Sequence, residues 1–221
     1  MYMKLNLTQA TDRAIAFSGL EKRLADALYT KVRYGIIEKF LHRSLLWQRG
    51  GEAQLKRTVP EDRSKRKVPS WSWMAYEGAI DFMDIASEQV DWSQAVQFPS
   101  EDMLECYVTD IKDCTIERKD EVFVVFDTGN GGEIATSKDS DDNKEKGWLR
   151  FDVDSFDIRT LRCVVVGRDT TWNHSSEEFR GECYVIVVKP RHGGKYSRVG
   201  VGSLHHTIIS LSVAGVLARI V

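Results

Sequence analysis

Apolar positions recur at helical spacing near the start of the chain and at strand spacing over most of the rest. From Thr11, the residues Phe17, Leu20, Leu24, Ala27 and Leu28 fall three or four apart, which aligns them on one face of a helix. Asp12 sits where the positive end of the helix dipole favours an acid, and Gly19 weakens the helix interior by about 1 kcal/mol relative to alanine. Ile36, Ile37, Phe40, Leu41, Leu45 and Leu46 form a second broad stripe, predicting another helix over Tyr34–Trp47. From Pro69 the period becomes two. Short aromatic and β-branched runs at 71–76, 79–83, 104–111, 122–126, 148–153, 161–166, 183–188 and 196–201 predict strands, with 218–221 able to close the sheet. The fold expected is α+β: an N-terminal helical pair (1–48) packed on a mainly antiparallel β-sheet or open barrel (69–221), the two forming one unit.

Between them, Arg49 to Lys67 holds seven basic residues and three acids around Gly50-Gly51 and Pro60. Segment 49–68 therefore reads as a basic flexible loop, open to early tryptic cleavage. Within it Arg63, Lys65, Arg66 and Lys67 are candidate contacts for an acidic partner. Two further polar inserts, 129–146 and 168–181, interrupt the strands.

Composition narrows the function classes. At 221 residues the chain suits one domain, and Lys plus Arg (31) nearly balances Asp plus Glu (33), a net charge of −2. That balance argues against a nucleic-acid-binding body, which would neutralise phosphates with a basic surface. The four cysteines, Cys106, Cys114, Cys163 and Cys183, contain no CxxC pair, so neither a disulfide scaffold nor a thiolate zinc site is indicated and a reducing compartment fits best. No apolar run reaches the roughly 18 residues of a membrane span, and the first residues lack a signal-peptide core. A cytoplasmic protein is the expectation.

Few residues suggest chemistry. The glycines at 129–132 and at Gly200 and Gly202 lack phosphate-loop spacing and read as hairpin turns. His205 and His206, adjacent on a strand, would point to opposite faces, so no metal is expected. His42, His174 and His192 have no nucleophile fixed beside them in sequence, and Asp152, Asp154 and Asp157 read as the edge of a polar turn. An unrecognised hydrolase is left as an alternative. The salient motif is Pro69-Ser70-Trp71-Ser72-Trp73. Two tryptophans two apart on a strand share a face, which makes either a core anchor or a platform on which a sugar or base stacks; the core is preferred because buried aromatics far outnumber ligand platforms.

In the order Thr11-Asp12-Arg13, Phe17-Ser18-Gly19-Leu20, Arg43-Ser44-Leu45-Leu46-Trp47, Pro69 to Trp73 and Glu77-Gly78, the chain resembles the C-terminal region of fungal heterokaryon incompatibility (HET) domain-containing proteins. Cys183 to Val188 and Tyr196 to Gly202 are similar to the closing strands of the same proteins. The resemblance implies a role in non-self recognition and programmed cell death in filamentous fungi. The family's effector domain, marked by S-Y-x-W-G, looks related to the TIR-like NAD-cleaving fold; that signature is not in this chain. The resemblance therefore implies no catalytic residue and no cofactor here. It implies a non-enzymatic accessory or regulatory module that acts through a protein partner or a HET effector domain.

Overall fold

The computed structural model describes residues 13–58, 68–85, 89–100, 102–112, 114–127, 145–153, 158–173, 178–179, 181–210 and 215–221. Helix α1 (Arg13–Leu28) forms where the stripe predicts, but of that stripe only Phe17 is buried, with Leu20 and Ala27 exposed; Phe17 meets Trp73 edge-on with ring centroids 5.3 Å apart. It ends at Tyr29, which adopts a left-handed conformation (φ 50) of the kind that terminates helices.

The second helix is shorter than its sequence pattern predicts. Tyr34 (φ 48) and Gly35 (φ 77) both take positive φ, the signature of a type I′ hairpin, and join β1 (Val32–Arg33) to β2 (Ile36–Ile37). Gly35 is required there, because a Cβ would lie 2.5 Å from the Trp73 ring. Only after a 3-10 turn does α2 (Leu41–Leu45) form, and it buries Leu41 and Leu45.

Arg49 is not part of a loop either. β3 (Trp47–Arg49) pairs with β6 (Ile80–Phe82), β4 (Lys56–Arg57) pairs with β5 (Tyr76–Glu77), and Arg49 is 1% exposed. The predicted flexible segment thus loses its first residues to small sheets, while Arg63, Lys65, Arg66 and Lys67 lie outside the described residues.

The strands that follow are β7 (Val90–Trp92), β8 (Gln97–Ser100), β9 (Met103–Asp110), β10 (Cys114–Lys119), β11 (Val122–Asp127), β12 (Glu145–Phe151), β13 (Arg162–Asp169), β14 (Trp172–Asn173), β15 (Glu178–Phe179), β16 (Glu182–Pro190), β17 (Lys195–His205) and β18 (Val216–Ile220). Among the described residues β14 and β15 pair only with each other. Five strands close a barrel in the order β17, β16, β13, β9, β18 and back to β17. Every pair is antiparallel except the last, where Lys195 and Tyr196 run parallel to Arg219 and Ile220. The fold class is therefore the α+β arrangement of two short N-terminal helices and a mainly antiparallel sheet.

β17 is long enough for two tasks. Its first residues seal the barrel, whereas Gly200 to Leu204 pair with β12 and extend the sheet outward through β11 to β10. This wing folds Val125, Leu149 and Phe151 over Cys183, Val185, Val187 and Val199, forming a second core. The first core holds the opposite faces of the barrel strands, Leu104, Val164, Ile186, Val201 and Ile220 among them, together with Trp47, Trp71 and Trp73 from the N-terminal segment. Strands covered on both faces need continuous apolar runs, which is why Cys183 to Val188 hardly alternates. Gly200 and Gly202 lie inside β17 rather than in a turn: a Cβ on Gly202 would come within 2.2 Å of the Trp148 carbonyl oxygen, so glycine lets β12 approach.

Candidate functional site

The Pro69 to Trp73 motif forms a turn and a 3-10 helix over Trp73–Ala75, not a strand. Ser72 accounts for the difference. Its hydroxyl accepts from the Met74 N–H (3.0 Å) and donates to the Tyr34 carbonyl (2.6 Å), capping the turn and binding it to the hairpin. Trp71 is 0% exposed and Trp73 7%, which removes the stacking platform that alternate positions on a strand would have offered. Trp73 donates to the Gly35 carbonyl (3.2 Å); the Trp71 indole N–H has no hydrogen-bond partner among the described residues.

Beside the motif lies a buried polar clamp. Arg198 on β17 reaches Asp152, just beyond β12, through Nε–Oδ2 (3.2 Å) and Nη2–Oδ1 (3.4 Å). It also donates to the Leu45 carbonyl (2.6 Å) and to the Trp47 carbonyl, and its guanidinium lies 3.3 Å above the Trp47 ring. Ser70 completes the assembly by accepting from the Arg198 N–H (3.0 Å) and donating to the Val221 carbonyl (2.5 Å). Burial pushes the Asp152 carboxyl above its ordinary value while Arg198 and then Arg49 pull it back, and burial likewise pulls Arg198 down against the pull of Asp152. Asp152 is thus a buried ion-pair partner, not the edge of a polar turn. Every donor and acceptor named here is occupied within the chain, and neither charged side chain is open to a substrate, so the clamp is structural.

Other candidate chemistry is dispersed. His42 Nε2 lies 2.7 Å from the Ser93 carbonyl oxygen and its ring stacks on Trp92, while the His205 contact to Thr207 (2.8 Å) belongs to the turn 206–208. His174, Asp154 and Asp157, and the glycines at 129–132, lie outside the described residues. Among the described residues no group of three or more His, Cys, Asp or Glu could hold a metal, and no helix is long and apolar enough to cross a membrane. Cys106, Cys163 and Cys183 are buried free thiols; burial pushes the Cys106 thiol up to about 12 and that of Cys183 to about 11.

The surface is most distinctive where two barrel strands part. β9 and β13 pair only at Asp110 with Arg162 and Thr109 with Cys163. Beyond these, β13 turns its edge to β7 at Gly167, Arg168 and Asp169, and the Ser93 N–H donates to the Val166 carbonyl (2.9 Å) as the chain crosses the gap. A groove of about 390 Å³ remains, lined by Trp92, Gln94, Tyr107, Thr109, Val165 and Arg168. Gly167 allows Trp92 to cross, since a Cβ there would lie 2.7 Å from the indole.

On the lip of this groove, Tyr107 is 50% exposed and directly opposite Leu217 (54%). Tyr107 and Leu217 thus form an exposed apolar pair on one face, while Val216, consecutive with Leu217 on β18, turns to the other. Neither the groove nor the patch was singled out by sequence. A signal did exist: Tyr107 takes the polar parity of an alternating strand, between Glu105 and Thr109. No family model matches the chain, and no curated protein or solved structure is significantly similar to it.

Proposed function

We propose that this chain is a non-enzymatic contact module of the heterokaryon-incompatibility type, acting in the cytoplasm, and that its partner docks on the Tyr107–Leu217 face. One observation carries the reading: two exposed large apolar side chains, Tyr107 and Leu217, stand as a cross-strand pair beside a concave groove. Contacts of this kind exclude water from a partner's apolar side chain, and aromatic anchors set next to a cavity commonly dominate binding energy. A module of this sort modulates an effector by binding one of its states more tightly than another.

The test is to mix the purified chain with a separately expressed HET effector domain and follow association by isothermal titration calorimetry. Association is expected, and the variant Tyr107→Lys/Leu217→Lys, with unchanged melting, should abolish it. Unaltered affinity in that variant would place the contact elsewhere. The chain alone should not turn over NAD; turnover lost on mutating one of its own acids would show it to be an enzyme and overturn the reading.

A further inference from the structure

The outer face of the wing carries a second, chemically different basin. Phe123, Val125, Leu149 and Phe151 pack with the second core, so the alternate positions of β11 and β12 face the other way. Val124 and Trp148 are direct cross-strand partners there and form an apolar floor. Gln48 of β3, Lys119 at the end of β10, Glu145 at the start of β12, and Arg150 border it, leaving a shallow, open basin of about 440 Å³. That volume is within the roughly 300–1,000 Å³ usual for small-ligand sites. Trp47, Trp71 and Trp73 are buried, but Trp148 is half-buried and lines the basin.

The rim selects the ligand class. Arg150 is held in place by an ion pair with Glu121 and by donating to the Arg49 carbonyl (3.2 Å), so it presents a fixed guanidinium rather than a mobile one. The cations Lys119 and Arg150 are balanced by Glu145 and Glu121, which leaves no net charge to attract a phosphate or a carboxylate. Donors (Lys119, Arg150), an acceptor (Glu145) and an amide that does both (Gln48) suit hydroxyl groups, each of which can donate and accept. A pyranose combines such a hydroxyl rim with an apolar C–H face that lies flat on an indole. We propose that this basin binds an uncharged pyranoside stacked on Trp148.

The test is saturation-transfer NMR of the full chain with the methyl glycosides of glucose, galactose, mannose and N-acetylglucosamine, with adenosine and AMP as competitors in class. At least one glycoside should respond, with a dissociation constant on the order of 1–10 mM, as expected for a small ligand in an open site. Trp148→Thr should weaken it at least about tenfold, a loss of about 1.4 kcal/mol, while Tyr107→Lys on the other surface should leave it unchanged. If Trp148→Thr melts abnormally, Gln48→Ala and Lys119→Ala carry the test, each expected to weaken binding severalfold. No glycoside response up to about 50 mM, a response equal in all basin variants, or a response to adenosine or AMP alone would each overturn the proposal.

Discussion

Replacing Asp152 by alanine tests the clamp most directly. Asp152 and Arg198 are both 1% exposed, and the carboxylate is the anion that neutralises a guanidinium taken out of water. An ion pair at this depth adds little net stability when intact, because desolvation offsets attraction, but removing one partner strands a buried charge at a cost of about 3–5 kcal/mol. Against a typical folding stability of roughly 5–15 kcal/mol, that is a large fraction. For a chain of this length each kcal/mol lowers the melting temperature by about 2–4 °C, so Asp152→Ala should melt about 6–20 °C lower. Asp152→Asn should recover about 1–2 kcal/mol, since its amide oxygen still accepts from Arg198. Arg198→Met is itself costly, because the Leu45 and Trp47 carbonyls lose their donor. The double variant should nevertheless lose less than the sum of the singles, by about 0.5–3 kcal/mol, because it leaves no unpaired charge. Circular-dichroism melting and urea titration read all four proteins. A melting point for Asp152→Ala within about 2 °C of the parent, or strict additivity in the double variant, would refute the account.

Other parts of the fold make separate predictions. Gly202→Ala should destabilise the protein by at least about 2 kcal/mol in urea titration, because its methyl meets backbone rather than a movable side chain, while Gly51→Ala, with nothing within 4 Å, should change stability by less than about 0.5 kcal/mol. Among the thiols, partly buried Cys114 should be alkylated first by iodoacetamide in the native state, with buried Cys106, Cys163 and Cys183 protected until unfolding; equal labelling of all four by mass spectrometry would contradict the packing of both cores.

What the sequence revealed depended on how far each element depends on distant partners. α1 was legible because its apolar spacing is local, and β9, β11, β13, β16 and β17 were legible because barrel and wing cover them densely enough to demand β-branched and aromatic runs. The stripe from Ile36 to Leu46 misled because short apolar runs fit a helix or a strand, and a Tyr-Gly pair at positive φ decided for the hairpin. Trp71 and Trp73 misled similarly: alternation suggested a strand, but Ser72, with its hydroxyl between Met74 and Tyr34, imposed a capped turn.

The charges were hardest to place because their partners lie far along the chain. Arg49 counted as one more cation in a basic run, yet it is buried in β3, and Asp152 looked like a turn residue, yet it answers Arg198. The bonds from Arg198 to Leu45 and from Ser70 to Val221 span 153 and 151 positions, so no local window contains both ends. The same separation explains the groove. Its lip brings Tyr107 of β9 against Leu217 of β18 because the barrel closes there, and its mouth opens because β13 exchanges β9 for β7 after two residue pairs. An apolar side chain on the polar parity of a strand is a weak hint in isolation; it becomes a candidate contact once tertiary pairing sets a second exposed apolar side chain, Leu217, beside it.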